Sequence, residues 1–288
     1  MAPLRFKQVD VFTRVPFRGN PVAVVLEGSG LTADAMQRIA GWTNLSETTF
    51  VLPPTAGTAD YRLRIFTPRA ELPFAGHPTL GSAHAVLEAG IVKPAGGRLR
   101  QECGAGVLDL SVEPDARLWV RAPQSNLKPL DAALLPVLEG ALGAKPVSQP
   151  LVVSVGPVWI VADLGSAETV GALRPDLEAV GKLSDAASAT GVTVFGASSD
   201  GRSALHVRSF APAHGVPEDP VCGSGNISVA AFIARGGLTG RFGAQYVARQ
   251  GMQVGRDGEV SIRIADAGRA IDLGGYAVTC VEGTLRAE

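Results

Sequence analysis

Four short stretches of this chain carry residue types that can move a proton at carbon. They are Asn44-Leu45-Ser46-Glu47, Ala75-Gly76-His77-Pro78, Glu218-Asp219-Pro220 and Cys222-Gly223-Ser224-Gly225-Asn226. A carboxylate that abstracts a C–H proton works best where partial desolvation lifts its pKa toward the working pH. Glu47 lies between an apolar helical stretch and an apolar strand-like run, a position compatible with such burial. The competing reading is a surface Glu in a strand-entrance turn. His77 at a helix start can polarise or protonate a substrate, or it can simply cap the helix, since a helix N-terminus opposes its charging.

Asp219 precedes Pro220, so it serves equally as a turn former. Gly223-Ser224-Gly225 reads as an anion cradle at a helix start, although Gly-Ser-Gly also occurs in ordinary loops and is neither a P-loop nor GxGxxG. Cys222 is either a low-pKa thiol at that helix start or a small buried apolar side chain. His84, His206 and His214 have no ligand-like spacing and receive no role. No metal site is expected.

The elements that must position these groups recur. Arg62 to Gly90 and Leu205 to Gly237 each hold a short strand ending in Phe-x-Pro, a polar loop, and a Gly that opens an alanine-rich helix. The spans 76–90 and 223–237 are equal in length and lie about half the chain apart. Three further landmarks pair. Pro21-Val22-Ala23-Val24-Val25 matches Pro157-Val158-Trp159-Ile160-Val161, Ser46-Glu47-Thr48-Thr49 matches Thr190-Gly191-Val192-Thr193, and Arg64-x-Phe66-x-Pro68 matches Arg208-x-Phe210-x-Pro212. Order and spacing favour an ancient duplication over chance similarity of βα units. One difference is chemical: the first half has Glu47 where the second has Gly191.

Strand-like runs are read at 6–13, 21–27, 48–53, 61–66, 106–112 and 118–121. Helices are read at 32–42, with Thr32 as N-cap, and at 77–89. After a linking helix at 131–142 come strands at 147–154 and 158–163 and a short helix near 175–181. Strands at 191–195 and 204–210, the second Gly-headed helix, and strands at 246–250, 259–264 and 270–279 follow.

Composition bounds the class. The chain has 288 residues, of which 46% are apolar, so a large core is available. The net charge of −1 comes from 26 basic and 27 acidic residues well mixed along the chain, with no basic stripe for nucleic acid and no basic amphipathic helix for a membrane. The longest uncharged run, Pro146 to Ala162, is broken by Ser, Gln, Gly and Pro and reads as two strands, since a span needs about 20 mostly apolar residues. The first residues alternate as a strand does, and Cys103, Cys222 and Cys280 show no disulfide or metal spacing. A soluble cytoplasmic protein is expected.

At these motifs the chain resembles the phenazine-biosynthesis PhzF-like isomerase family, which shares the diaminopimelate-epimerase-type fold. The likeness rests on DVFTRVPFRGNPVAVV, MQRIAGWTNLSETTFVL, RIFTPRAELPFAGHPTLG and RSFAPAHGVPEDPVCGSG, in order along nearly the whole length. It implies an α+β fold of two pseudo-symmetric halves, each a β-barrel-like sheet wrapped around a central helix. It places residues 1–126, with Glu47 and His77, in one half and 127–288, with Asp219 and Ser224, in the other. The last strand can pack back on the first half, and the active site is expected in the cleft between. Glu47 matches the family's acid/base, His77, Asp219 and Ser224 its supporting residues, and Gly76 and Gly223 its backbone donors. Ser46, Cys222 and Asn226 complete the expected substrate-binding set. Such members are commonly homodimers, and their best-known reaction isomerises trans-2,3-dihydro-3-hydroxyanthranilate.

The chain departs from that pattern at Cys222, where the phenazine enzyme's motif has Thr, and at Gly225-Asn226, where small apolar residues are usual. Related epimerases carry a Cys before each helix, whereas Ala75 holds the first of those positions here. Three functions are in play. The leading one is a cofactor-independent isomerase that shifts a proton on a small carboxylate. The others are a one-base epimerase using Glu47 with Cys222, and a non-catalytic binding protein on the same fold.

Overall fold

Apolar runs become strands, and the two alanine-rich stretches that begin at glycine become helices enclosed by them. The computed structural model describes residues 3–287. The chain divides into two units: one extends to Arg121 and takes back the chain from Gly274 onward, and the other is Ala122–Leu273.

In the first unit the strands are β1 (Leu4–Val11), β2 (Asn20–Val25), β3 (Thr48–Leu52), β4 (Tyr61–Phe66), β5 (Glu71–Leu72), β6 (Arg98–Cys103), β7 (Gly106–Val112) and β8 (Leu118–Arg121). Its helices are α1 (Ala33–Thr43) and α2 (Gly76–Glu88). β2 runs parallel to β3 across the α1 crossover, β3 pairs antiparallel with β4, and β4 runs parallel to β6 across α2. α1 starts where the Thr32 side chain accepts from the Ala35 N–H. It buries Met36 and Ala40 against Phe50 and Phe66 and ends at Asn44 in the left-handed region.

Ten of the 13 residues of α2 are buried, which is the pattern of a helix surrounded by sheet, not of one lying on a surface. Small residues let the strands close in: a Cβ on Gly81 would lie 2.5 Å from Val22 Cγ1 and 2.8 Å from Val11 Cγ2. Its buried hydroxyls are satisfied sideways, Thr79 accepting from Gln101 Nε2 at 3.1 Å and Ser82 bonding Thr49 at 2.8 Å.

The second unit repeats the order. It contains β9 (Asn126–Pro129), α3 (Leu135–Leu142), β10 (Leu151–Ser154), β11 (Val158–Ser166), α4 (Ala167–Ala172), α5 (Leu177–Ala186), β12 (Gly191–Ala197), β13 (Leu205–Ala211) and β14 (Val216–Asp219). Then follow α6 (Gly223–Arg235), α7 (Thr239–Phe242), β15 (Gln245–Gln250), β16 (Gly258–Ala265) and β17 (Ala270–Gly275), which reaches the unit boundary. β11 is parallel to β12, β12 antiparallel to β13, and β13 parallel to β15, matching β2, β3, β4 and β6 in turn. α6, with ten buried residues, takes the place of α2.

The ladders correct one landmark. Thr49 pairs with Val24, and its counterpart Thr193 pairs with Val161, so Val24 matches Val161 and not Ile160. The halves therefore align one residue away from the Pro21–Pro157 match, and Trp159 corresponds to Val22.

Further differences concern strands, among them the short β5, β9 and β14, which the sequence reading lacks. β6 is absent from the sequence reading because its buried residues are Leu99 and the polar Gln101, alternating with exposed Arg98 and Arg100, which leaves no apolar run. The single strand read at 270–279 is two, β17 and β18 (Ala277–Leu285). β18 pairs antiparallel with β1, where buried Lys7 holds Glu282 at 3.1 Å and Glu88 of α2 at 2.8 Å.

Candidate active site

In the first unit, the left-handed residue Asn44 turns the chain out of α1 so that Leu45 and Ser46 lead into β3. Glu47 sits at that entrance, its backbone carbonyl accepting from Ala23 N–H of β2 at 3.3 Å. Ser46 is partly buried beside it. The Glu47 side chain is 15% exposed, and its Oε2 lies 3.3 Å from Nε2 of His77, the second residue of α2. The burial that sequence left open is thus present.

His77 is buried, and burial pushes its pKa down to about 3 against the opposing effect of a hydrogen bond to the Pro21 carbonyl. The imidazole is therefore neutral with one proton. With that proton donated to the Pro21 carbonyl from Nδ1, Nε2 presents a lone pair to Glu47. The pair can hold one further proton, supplied from the Glu47 side. Beside it, α2 begins without a side-chain cap at Ala75, and the Gly76 and His77 N–H groups have no hydrogen-bond partner among the described residues.

The second unit places Asp219, Cys222 and Ser224 together at the start of α6. Asp219 ends β14, and its Oδ1 accepts from the Val221 N–H at 3.0 Å. Cys222 is the N-cap, its sulfur accepting from the Gly225 N–H at 3.2 Å. Burial raises the Asp219 carboxyl to about 6, opposed by hydrogen bonds from the Cys222 thiol and the Val221 N–H. Burial, then the nearby Asp219 charge, pushes the Cys222 thiol well above its ordinary value. Desolvation thus outweighs the helix terminus and favours the neutral thiol at Cys222 over the low-pKa alternative.

Asn226 is buried, its side-chain NH2 donating to the Cys222 carbonyl and to Gln250 Oε1, both at 2.9 Å. Gln250 in turn donates to the Asp219 carbonyl at 3.0 Å, so the loop between β14 and α6 is tied from beneath. Arg208 adds a bidentate pair to Glu218 at 2.9 and 2.8 Å. Gly225 is required by packing, because a Cβ there would lie 2.6 Å from Ser209 Oγ and 2.9 Å from Thr193 Oγ1. Ser224 alone in the first turn is partly exposed, and its Oγ accepts from Trp159 Nε1 at 3.0 Å.

Gln250 and Trp159 were missed by sequence reasoning. Both sit in strands as ordinary-looking core residues, and only a polar Gln ending an apolar run gave any signal. Gly191, the counterpart of Glu47, has no room for a side chain: a Cβ would collide with the Phe210 carbonyl oxygen and lie 2.8 Å from Trp159 Cζ3. His84 and His206 bond elsewhere and His214 is exposed, so none joins either cluster. Among the described residues no group of three or more His, Cys, Asp or Glu could hold a metal ion.

Comparison with known proteins gives a consistent picture. The family model described as phenazine biosynthesis-like protein matches residues 9–283. The chain is 40% identical over 290 residues to antisense-enhancing sequence 1 of Schizosaccharomyces pombe, covering 96% of this chain and 97% of that protein. It is 36% identical over 284 residues to the trans-2,3-dihydro-3-hydroxyanthranilate isomerase of Pseudomonas chlororaphis, with 96% and 97% covered. A solved PhzF-family protein of Bacillus anthracis superposes with a TM-score of 0.85 at 25% identity, both chains fully covered. A probable proline racemase of Agrobacterium radiobacter, 14% identical, superposes at 0.65 over 99% of this chain and 93% of that one. The fold is that shared by these isomerases and racemases, of the diaminopimelate-epimerase type.

Proposed function

We propose the following chemistry for this chain, which belongs to the phenazine biosynthesis-like protein family and is an isomerase. Glu47 acts as a single general acid/base that shifts a proton on a small carboxylate similar to trans-2,3-dihydro-3-hydroxyanthranilate. The Glu47 carboxylate takes a proton from an activated C–H, and the electron pair left behind delocalises into the adjoining conjugated system. Protonated Glu47 donates a hydrogen bond to His77 Nε2, then returns the proton to a second carbon on the same face. Atoms and charge balance without redox change. The observation that carries this reading is the partly buried Glu47 with neutral His77 3.3 Å away.

We assign substrate binding to Ser46, to the open N–H groups of Gly76 and Gly223, and to Ser224. Such preorganised donors typically contribute about 2.7–4 kcal/mol each to transition-state stabilisation. Asp219 and Cys222 form a hydrogen-bonded pair that supports this set. Asn226 ties the loop through both its N–H bonds, and we keep it in the substrate-binding set through its buried Oδ1, which has no hydrogen-bond partner among the described residues. A Cys222-based epimerase is the weaker alternative, since a neutral, strongly desolvated thiol is a poor base. The absence of room at Gly191 likewise favours one base over two.

We further place the enzyme in the cytoplasm as a homodimer, following the family resemblance, with light scattering as the check on assembly. Proton NMR in D2O tests the reaction: trans-2,3-dihydro-3-hydroxyanthranilate and related amino or hydroxy carboxylates are screened for enzyme-dependent exchange.

A further inference from the structure

In the second unit, Trp159 projects from β11 onto the start of α6, and 3% of it is exposed. Its indole nitrogen has one hydrogen to give and gives it to Ser224 Oγ at 3.0 Å. The ring also occupies the space that Gly191 leaves open, as the 2.8 Å approach of a Gly191 Cβ to Trp159 Cζ3 shows. A serine hydroxyl is both donor and acceptor and rotates to suit its neighbours. Once its oxygen accepts from an immobile indole, its own hydrogen must point away from Trp159. The Cys222 sulfur, 3.5 Å off, already accepts the Gly225 N–H and, among the described residues, is the one other protein atom to which the Ser224 hydrogen is directed in the free protein. Ser224 is partly exposed, so that hydrogen can turn from the weakly accepting sulfur to a ligand oxygen while the indole holds the Ser224 oxygen in place.

We propose that Trp159 is a positioning residue that holds the Ser224 oxygen so that its hydroxyl serves as a hydrogen-bond donor to a substrate carboxylate. This rests on the proposed role of Ser224 in substrate binding and adds the group that holds the serine oxygen in place. Val22, the counterpart of Trp159 in the first unit, packs on α2 at Gly81 and has no donor, so the device belongs to the second half alone.

The test uses 3-hydroxyanthranilate, the aromatic and unreactive analogue of the proposed substrate, with the full chain labelled at indole nitrogen. In the free protein, Ser224→Ala should move one of the two buried indole N–H resonances, while the exposed Trp42 resonance stays in place. Adding 3-hydroxyanthranilate should move that same resonance in the wild type. Trp159→Phe should weaken the analogue about tenfold with little change in Tm, and should cost nothing further in a Ser224→Ala background. Wild-type affinity in Trp159→Phe, losses that add in full, or an indole resonance indifferent to Ser224→Ala would overturn the proposal. If Trp159→Phe does not fold, the indole response in wild type and Ser224→Ala decides alone. Failure of the isomerase reading looks different: the analogue binds with its indole response intact, yet dihydrohydroxyanthranilate exchanges no proton.

Discussion

Glu47 Oε2 lies 3.3 Å from Nε2 of His77, whose imidazole is kept neutral by burial. The arrangement gives the carboxyl group a resting place for its proton without making histidine a cation. It also sets a pH dependence. His77 titrates near 3 when folded and near 6.5 when unfolded, so between these values the unfolded chain binds more protons. Its stability contribution is complete above pH 6.5 and is lost as pH falls toward 3. His77→Gln should therefore recover up to about 2 kcal/mol of the stability lost between pH 7 and 5, read as Tm against pH.

Asp219 carries the opposite sign. Its folded value of about 6 exceeds the ordinary 3.8, so its contribution is full below 3.8 and is lost as pH rises through 6. Above that pH the ionised form costs on the order of 3 kcal/mol. Asp219→Asn should raise Tm at pH 8 and leave it nearly unchanged at pH 4, while lowering turnover. Equal shifts at both pH values would show that burial of this carboxyl is not what strains the loop.

Gly191 tests the steric basis of the asymmetry. Gly191→Ala drives a Cβ into the Phe210 carbonyl and should cost about 2–4 kcal/mol in urea unfolding. Gly140→Ala, on α3 with nothing within 4 Å, should instead stabilise by about 0.5–1 kcal/mol. Similar effects at the two sites would mean that β12 moves aside, leaving room for a side chain at the position equivalent to Glu47.

Cys222 separates isomerase from epimerase. Its thiol caps α6 and donates to Asp219, tasks a hydroxyl can take over. Cys222→Ser should hold kcat within about tenfold of wild type, whereas loss of an essential acid/base costs far more, about 10²–10⁴-fold. A collapse of turnover with folding intact would favour the thiol as a reacting group.

Much of the scaffold was legible in the sequence because its signals are local: Thr32 capping α1, the glycines opening α2 and α6, and the repeated Phe-x-Pro strands. The neutral state of His77 and the titration of Asp219 were not, since they depend on burial supplied by strands remote in sequence. Trp159 was hidden for a related reason. Matching Pro21 with Pro157 put it opposite Ala23, and only the strand ladders show that it takes the helix-facing place of Val22. Gly191 stood out as a missing carboxylate, but the carbonyl that forbids a side chain there comes from Phe210, nineteen positions later in the numbering.

The central claim is that Glu47 alone moves the proton. Glu47→Gln keeps the shape and a hydrogen bond to His77 but cannot accept a proton from carbon. In D2O, the wild type should incorporate deuterium into trans-2,3-dihydro-3-hydroxyanthranilate or a related carboxylate as it turns over. Glu47→Gln should bind 3-hydroxyanthranilate with similar affinity and show no incorporation above background. Retained exchange in Glu47→Gln would contradict the account and transfer the base to another group.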